Sequence, residues 1–172
     1  MSPQNAYKFC PKCKGKFKKS SDYVLTCSSC SFKFYINPVP CNGVIIENKK
    51  GEIMLVKRKV EPKKGFWDLP GGFIQPDENL EESVKREIKE ELNITVNIKN
   101  IVGIYNDVYK FQDIVFPTLG IIVTVNRDSD NFIPADDISS YKFFKPKETL
   151  KQKLAFESLY KGLEDYIKIR YT

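Results

Sequence analysis

Histidine is absent from all 172 residues, and tryptophan occurs only once. Without an imidazole, the Ser-His-Asp, Cys-His and histidine-ligated zinc hydrolase chemistries are excluded together, and any metal must be held by Cys, Asp, Glu or backbone oxygens. Long apolar runs are also missing: no stretch approaches the roughly 20 residues that a membrane helix needs. The opening Met-Ser-Pro-Gln-Asn-Ala-Tyr-Lys lacks the apolar core of a secretory signal. The expectation is a cytoplasmic chain without a membrane partner. What is present, 41% hydrophobic and 29% charged residues, is the composition of a globular chain, neither collagen-like nor low-complexity.

The net charge of +6 is unevenly placed. Residues 1–40 hold seven lysines against one acid, Asp22, whereas the remainder carries 21 charges of each sign. A basic first segment on a neutral body suggests two units with different work. The cysteines single out the same segment. Cys10-Pro11-Lys12-Cys13 and Cys27-Ser28-Ser29-Cys30 are two CxxC pairs with thirteen residues between them, the spacing of two knuckles that deliver four thiolates to one zinc. A segment this short cannot bury an adequate core of its own, and four thiolates leave the ion no open position, so this zinc is expected to be structural. Phe9, Phe17, Tyr23, Phe32, Phe34 and Tyr35 are expected to form a miniature core around it. Cys41 falls outside the spacing and reads as an ordinary thiol. Pro38-Val39-Pro40 marks the end of a ribbon spanning 1–40 and the entry to a second domain, 41–172.

That second domain opens with strand-like segments, Val44 to Glu47 and Ile53 to Arg58, joined by Asn48-Lys49-Lys50-Gly51 as a hairpin loop. A loop rich in glycine follows, with Gly65-Phe66-Trp67 and Pro70-Gly71-Gly72. Beyond residue 93, Ile94 to Tyr109, Ile114 to Asn126 and Tyr141 to Phe144 read as strands. Lys147 to about Ile169 reads as one helix with Leu150, Leu154, Leu159, Leu163 and Ile167 as its buried stripe.

The chemistry gathers between Gly72 and Ile94. Asn79-Leu80-Glu81-Glu82 has the form of a capping box, and the helix it opens runs to about Leu92. On that helix Leu80, Val84, Ile88 and Leu92 fall at about 0°, 40°, 80° and 120°, one apolar face, while Glu91, Glu87 and Glu90 fall at about 20°, 340° and 280° along its edge. Three carboxylates converging there repel one another unless a cation shares the patch, and the cation suited to an all-oxygen set is Mg²⁺ or Mn²⁺. Glu82 and Arg86, four residues apart, are placed to pair on the outer side.

Gly72, then five residues, Glu78, then seven residues and Arg86-Glu87-Ile88-Lys89-Glu90-Glu91-Leu92-Asn93-Ile94 closely resembles the Nudix box, GX5EX7REUXEEXGU, where U is aliphatic. The one departure is Asn93 in place of glycine, at a helix end that asks for a left-handed residue, where asparagine is the best tolerated substitute. Gly65-Phe66-Trp67-Asp68-Leu69-Pro70-Gly71-Gly72 is similar to the family's usual lead-in. A four-cysteine ribbon ahead of such a domain resembles the architecture of the NADH pyrophosphatase group.

The resemblance implies an α/β fold, the Nudix α/β/α sandwich with a mixed β-sheet, preceded by the small zinc ribbon. It implies Mg²⁺-dependent hydrolysis of the pyrophosphate bond in a nucleoside diphosphate linked to another group, with Glu87, Glu90, Glu91 and the carbonyl of Gly72 as metal ligands. Glu78 and Arg86 become a supporting pair. Arg58 is a candidate phosphate contact, and Trp67 and Phe66 could stack a base. Asp137, with Asp136 beside it, is a candidate for the further acidic group that many members place on a late loop; the general base, one of these or Glu90 or Glu91, stays open. The chain lacks the SQPWPFP-like stretch that NADH pyrophosphatases carry after the box, offering Tyr105-Asn106-Asp107 and Phe116-Pro117-Thr118 instead. Because the lead-in resembles that of the wide group acting on such compounds, ADP-ribose or a nucleotide sugar is the preferred substrate, with NADH kept as a further candidate. An RNA 5′-end or NAD-cap hydrolase and a noncatalytic nucleotide sensor are the alternatives, and since family members are often dimers a homodimer is a candidate assembly, which the sequence does not fix.

Overall fold

Ile53-Met54-Leu55-Val56 is an unbroken apolar run, and the computed structural model, which describes residues 3–171, explains it by burying that strand on both faces. In chain order the elements are α1 (Pro3–Ala6), β1 (Phe17–Lys19), β2 (Val24–Cys27), β3 (Lys33–Tyr35), β4 (Val39–Ile45), β5 (Ile53–Arg58), β6 (Trp67–Asp68), α2 (Leu80–Leu92), β7 (Val96–Phe111), β8 (Ile114–Arg127), β9 (Ile138–Phe144), α3 (Pro146–Thr149) and α4 (Glu157–Tyr171). Backbone packing divides the chain into two units. One holds the residues up to Val39 together with Val108–Pro117, the other Pro40–Asp107 with the residues from Thr118 onward. No alternation or turn signal marks the tip of the β7–β8 hairpin as part of the first unit.

The first unit is built on an antiparallel sheet ordered β1-β2-β3, with Lys18 opposite Thr26 and Leu25 opposite Phe34. Leu25 is buried, and Tyr7 and Phe17 pack on Phe34 with ring centroids 5.0 and 6.0 Å away. The expected aromatic core is smaller than the sequence suggests, because Phe9, Tyr23 and Tyr35 are exposed.

The second unit sorts its strand residues by alternation. Met54 and Val56 join Val84, Ile88 and Leu92 of α2 in one core layer, while Ile53 and Leu55 join Leu159, Leu163 and Tyr166 of α4 in the other. Strands order as β4-β8-β7 and β6-β5-β9, and Glu47 bridges to Ile53 across the hairpin that Asn48 and Gly51 close. The result is a mixed arrangement of two three-stranded sheets, with α2 packed on one core layer and α4 on the other. It is the expected α/β class.

The C-terminal helix differs from its expectation. Residues 150–156 are not helical, because this stretch runs as a strand-like edge beside β6: the Trp67 N–H donates to the Lys153 carbonyl at 2.9 Å and the Ala155 N–H to the Trp67 carbonyl at 2.8 Å. The apolar stripe at helical spacing is real only from Leu159 onward. Strands β4 and β9 also begin earlier than expected, at Val39 and Ile138: the pairing of β4 continues past its last buried residue, and β9 opens on Ile138, itself a buried core residue.

Candidate active site and cysteine cluster

In the first unit each CxxC closes a tight turn. The Lys14 N–H donates to the Cys10 carbonyl at 2.8 Å and the Ser31 N–H to the Cys27 carbonyl at 3.1 Å, with Lys14 and Ser31 both left-handed, at φ 62° and 59°. The two knuckles bring the Sγ atoms of Cys10, Cys13, Cys27 and Cys30 within 4.8 Å of one another. A Cβ on Gly15 would stand 2.5 Å from Ser29 Oγ and 3.1 Å from Cys27 Sγ, so one knuckle closes over the other. Four sulfurs at this separation match the donor set and size of a tetrahedral zinc site. Cys41 belongs to the second unit, its thiol pushed up to about 11 by burial and by the charges of Asp68 and Asp107.

In the second unit α2 is held at both ends as its sequence requires. Asn79 accepts from the Glu81 and Glu82 N–H groups, the Glu82 carboxylate accepts from the Asn79 N–H, and Asn93 ends the helix left-handed at φ 56° with its N–H donating to the Lys89 carbonyl. The expected Glu82–Arg86 pair does not form, because Glu82 is used in the cap. Arg86 instead grips Glu78, with Nε to Oε2 at 2.9 Å and Nη2 to Oε1 at 2.6 Å, and its Nη1 reaches Glu87 at 2.8 Å and Glu90 at 3.1 Å. The guanidinium, hydrogen-bonded to it, holds the Glu78 carboxyl down at about 2. Such a bidentate grip fixes the direction of Arg86, and through it the two glutamates.

The three box glutamates sit at three depths. Glu91 is 4% exposed and accepts from the Gly71 N–H at 2.9 Å; Glu87 lies against Gly72; Glu90 leans outward to Arg86. They converge less closely than the helical wheel suggests, since Arg86 stands between Glu87 and Glu90, and among the described residues only the cysteines form a group within 4.8 Å. Burial raises the Glu91 carboxyl well above its ordinary value; the Gly71 N–H opposes this, and the charges of Asp137, Glu87 and Asp68 reinforce it. Burial raises Glu87 as well, with Glu90 and Asp137 adding to the effect.

Buried anionic oxygens with excess negative charge suit a hard divalent cation. The spacing at Gly72 agrees: a Cβ there would stand 2.6 Å from Glu87 Oε1, so only glycine lets the loop lie on that carboxylate. The Gly72 carbonyl already accepts from the Asn42 N–H at 2.8 Å, which leaves one lone pair for a second partner.

Asp137 comes to the site from β9's leading loop, where the Ala135 N–H donates to the Glu91 carbonyl at 2.9 Å. Its charge bears on Glu87, Glu91 and Asp68 together. Arg58 has a partner the sequence did not announce. Its Nη1 contacts Asp68 Oδ2 at 2.8 Å, its Nε donates to the Pro62 carbonyl, and the two side chains are 13% and 12% exposed. The arginine is half-buried, and the candidate phosphate contact is thus tied at Nη1 and Nε. Burial pushes the Asp68 carboxyl up to about 6, although Arg58 and the Leu69 N–H oppose the shift. Trp67 is half-buried edge-on to Phe144 at 5.1 Å, and Phe66 is half-buried beneath Lys153 at 4.1 Å, so both rings pack into the α4 layer.

Asn42 was not among the expected residues. It is 7% exposed; its N–H fixes the Gly72 carbonyl, and its Nδ2 donates to Ser83 Oγ on α2 at 3.0 Å. Its Oδ1 is buried without a hydrogen-bond partner among the described residues. One side chain thereby ties the glycine loop to the glutamate helix. The signal was a lone amide in the otherwise buried run Asn42-Gly43-Val44-Ile45-Ile46.

This carboxylate helix, capped and clamped beneath a Gly-Gly turn, offers buried and half-buried oxygens that suit a hard divalent cation. Residues 38–166 match the NUDIX domain family, and the chain belongs to it. An ADP-ribose pyrophosphatase of Methanocaldococcus jannaschii is 33% identical over 137 residues, covering 80% of this chain and 78% of that protein. An NAD-capped RNA hydrolase NudC of Haemophilus influenzae is 35% identical over 99 residues, 55% of this chain but only 36% of that protein. The crystal structure of a NUDIX hydrolase from Nitrosomonas europaea matches with a TM-score of 0.73 and 26% identity, over 95% of this chain and 92% of that one. The chain is thus a Nudix hydrolase. No helix among the described residues is long and apolar enough to cross a membrane.

Proposed function

We propose that the chain hydrolyses the pyrophosphate bond of a nucleoside diphosphate linked to a further group, with ADP-ribose or a nucleotide sugar as substrate. Mg²⁺ or Mn²⁺ would be held by Glu87, Glu90, Glu91 and the Gly72 carbonyl, with Asp137 as a further acidic ligand. One observation carries this reading: Glu91, buried, and Glu87, half-buried, lie against the Gly71–Gly72 turn with no side chain of their own element to neutralise Glu91. When bound, the divalent cation offsets charge developing at phosphorus and lowers the pKa of the attacking water. Arg86, locked by Glu78, orients Glu87 and Glu90; Asn42 holds the loop that presents Gly72.

The M. jannaschii relative's name supports ADP-ribose as the first substrate to try. The H. influenzae relative's name supports NAD-capped RNA as the second reading, against which stands the missing SQPWPFP-like stretch. The complete glutamate set weighs against a noncatalytic sensor. The four cysteines fit Zn²⁺, which would brace residues 1–40 as a ribbon ahead of a catalytic domain at 41–172. A thiolate site of this kind is suited to the reducing cytoplasm. The test is a chromatographic hydrolysis panel with Mg²⁺ or Mn²⁺ over ADP-ribose, nucleotide sugars, NADH, dinucleoside polyphosphates and NAD-capped RNA. Cleavage of ADP-ribose or a nucleotide sugar to two monophosphates supports the proposal; exclusive cleavage of the capped RNA replaces it with the second reading.

A further inference from the structure

The neutrality of the second unit conceals a division of charge. Residues 57–64 and 140–153 carry ten basic and two acidic residues, and the rest of the unit, outside 108–117, carries ten basic and eighteen acidic. Strand pairing brings the two segments together: in the β5–β9 register Leu55 lies opposite Lys142 and Lys57 opposite Ser140, and Lys57 pairs with Trp67 across β5–β6. The 150–156 edge adds Lys151 and Lys153 beside Trp67. Lys142, Lys145, Lys151 and Lys153 are exposed. Three lysines of α2 and α4 are paired, Lys85 with Glu81, Lys161 with Glu157 and Lys168 with Glu164, whereas among the described residues no lysine of this face makes an ion pair.

Aromatic rings lie between these lysines. Lys57 stands 5.4 Å from the Trp67 ring centre, Lys142 5.2 Å from Phe144, and Lys63 and Lys153 5.1 and 4.1 Å from Phe66. Phe66 and Trp67 are half-buried, so part of each ring reaches the surface. Unpaired cations interleaved with accessible rings are the two elements that single-stranded polynucleotides require, one for the phosphates and one for the bases. A membrane surface asks instead for protruding apolar side chains beside the cations. The face also adjoins the carboxylate site. The Lys59 N–H donates to the Asp137 carbonyl at 2.7 Å, and Arg58 pairs with Asp68.

We infer that this lysine face of β5, β9 and the 150–156 edge docks a single-stranded polynucleotide along its phosphate backbone. The inference stands apart from which nucleotide the carboxylate site hydrolyses, because it concerns binding alone.

The test is fluorescence anisotropy with an end-labelled, unstructured RNA of about 20 nucleotides and the full chain, over a salt series. Wild type is compared with Lys142→Gln/Lys145→Gln/Lys151→Gln/Lys153→Gln, and with Lys12→Gln/Lys14→Gln/Lys16→Gln in the first unit. Each phosphate contact contributes about 0.7 to the slope of log affinity against log salt, so the fourfold variant is expected to lose between about 2 and 3 from that slope and at least about tenfold in affinity at low salt. Thermal midpoints report folding. Should the fourfold variant not fold, the pairs Lys142→Gln/Lys145→Gln and Lys151→Gln/Lys153→Gln are each expected to remove about half the slope change. The inference is overturned if wild type does not bind RNA at low salt, if the face variants keep the wild-type slope, if binding vanishes only in the first-unit variant, or if anionic phospholipid vesicles are bound while RNA is not.

Discussion

Two adjacent glycines respond differently to the same added methyl group. At Gly71, φ is +132°, a region closed to side chains, and a Cβ would stand 2.6 Å from the backbone carbonyl oxygen of Asn42. A backbone oxygen cannot rotate away. Backbone strain alone costs on the order of 1–3 kcal/mol, and relieving the clash means shifting β4, so Gly71→Ala is expected to lose at least about 2 kcal/mol of stability. For a chain of this size that lowers Tm by about 4–8 °C or more. At Gly72 the backbone is unstrained and the obstacle is Glu87 Oε1 at 2.6 Å, the far end of a flexible side chain. Gly72→Ala is therefore expected to keep Tm within about 2–4 °C, a cost of no more than about 1 kcal/mol, while displacing a metal ligand by about 1 Å, a misplacement that costs on the order of 100-fold in turnover. Differential scanning calorimetry and steady-state hydrolysis of ADP-ribose separate the two effects. A Gly72→Ala enzyme with wild-type turnover, or one as unstable as Gly71→Ala, refutes the placement of Glu87 against the loop.

Other consequences are more local. Arg58→Met leaves Asp68 buried without its cation, at a cost of about 3 kcal/mol near pH 8. Asp68 already titrates above its unfolded value, at about 6, so the folded state gains from its protonation; the loss in the variant should shrink as pH falls below 6 and grow as pH rises through it, measured by urea unfolding at pH 5 and pH 8. A loss independent of pH would count against the pair. Asn79→Ala removes the acceptor for two N–H groups of α2 and should cost about 1 kcal/mol, visible as a lower urea midpoint with an unchanged slope. The isolated chain should contain one equivalent of zinc, and Cys13→Ser should lose it together with the protection of the other three cluster thiols from alkylation; full protection in the metal-free chain would argue for a different role of the cluster.

The elements most legible in the sequence were those whose signals are local. The α2 boundaries followed from Asn79, Glu82 and Asn93, because capping geometry is written within four residues, and β5 followed from an apolar run bounded by polar residues. The C-terminal stripe misled because Leu150 and Leu154 lie at helical spacing yet belong to an edge that pairs with Trp67, a contact more than eighty residues away in sequence. The box glutamates were found by their order, but their depths were not, since these depend on Arg86 choosing Glu78 over Glu82 and on Gly71 donating to Glu91. The partner of Arg58 and the role of Asn42 went unseen for one reason: each side chain contacts a residue contributed by another element, Asp68 on β6 and Ser83 on α2.

The most direct test of the central claim, that Glu87, Glu90 and Glu91 of α2 hold the catalytic cation, is a Mn²⁺ titration followed by electron paramagnetic resonance, paired with ADP-ribose hydrolysis, for wild type and Glu87→Gln. Tight Mn²⁺ binding and turnover lost together in a variant of unchanged Tm is the predicted result. A Glu87→Gln chain that still binds the ion tightly and hydrolyses ADP-ribose at the wild-type rate would contradict it.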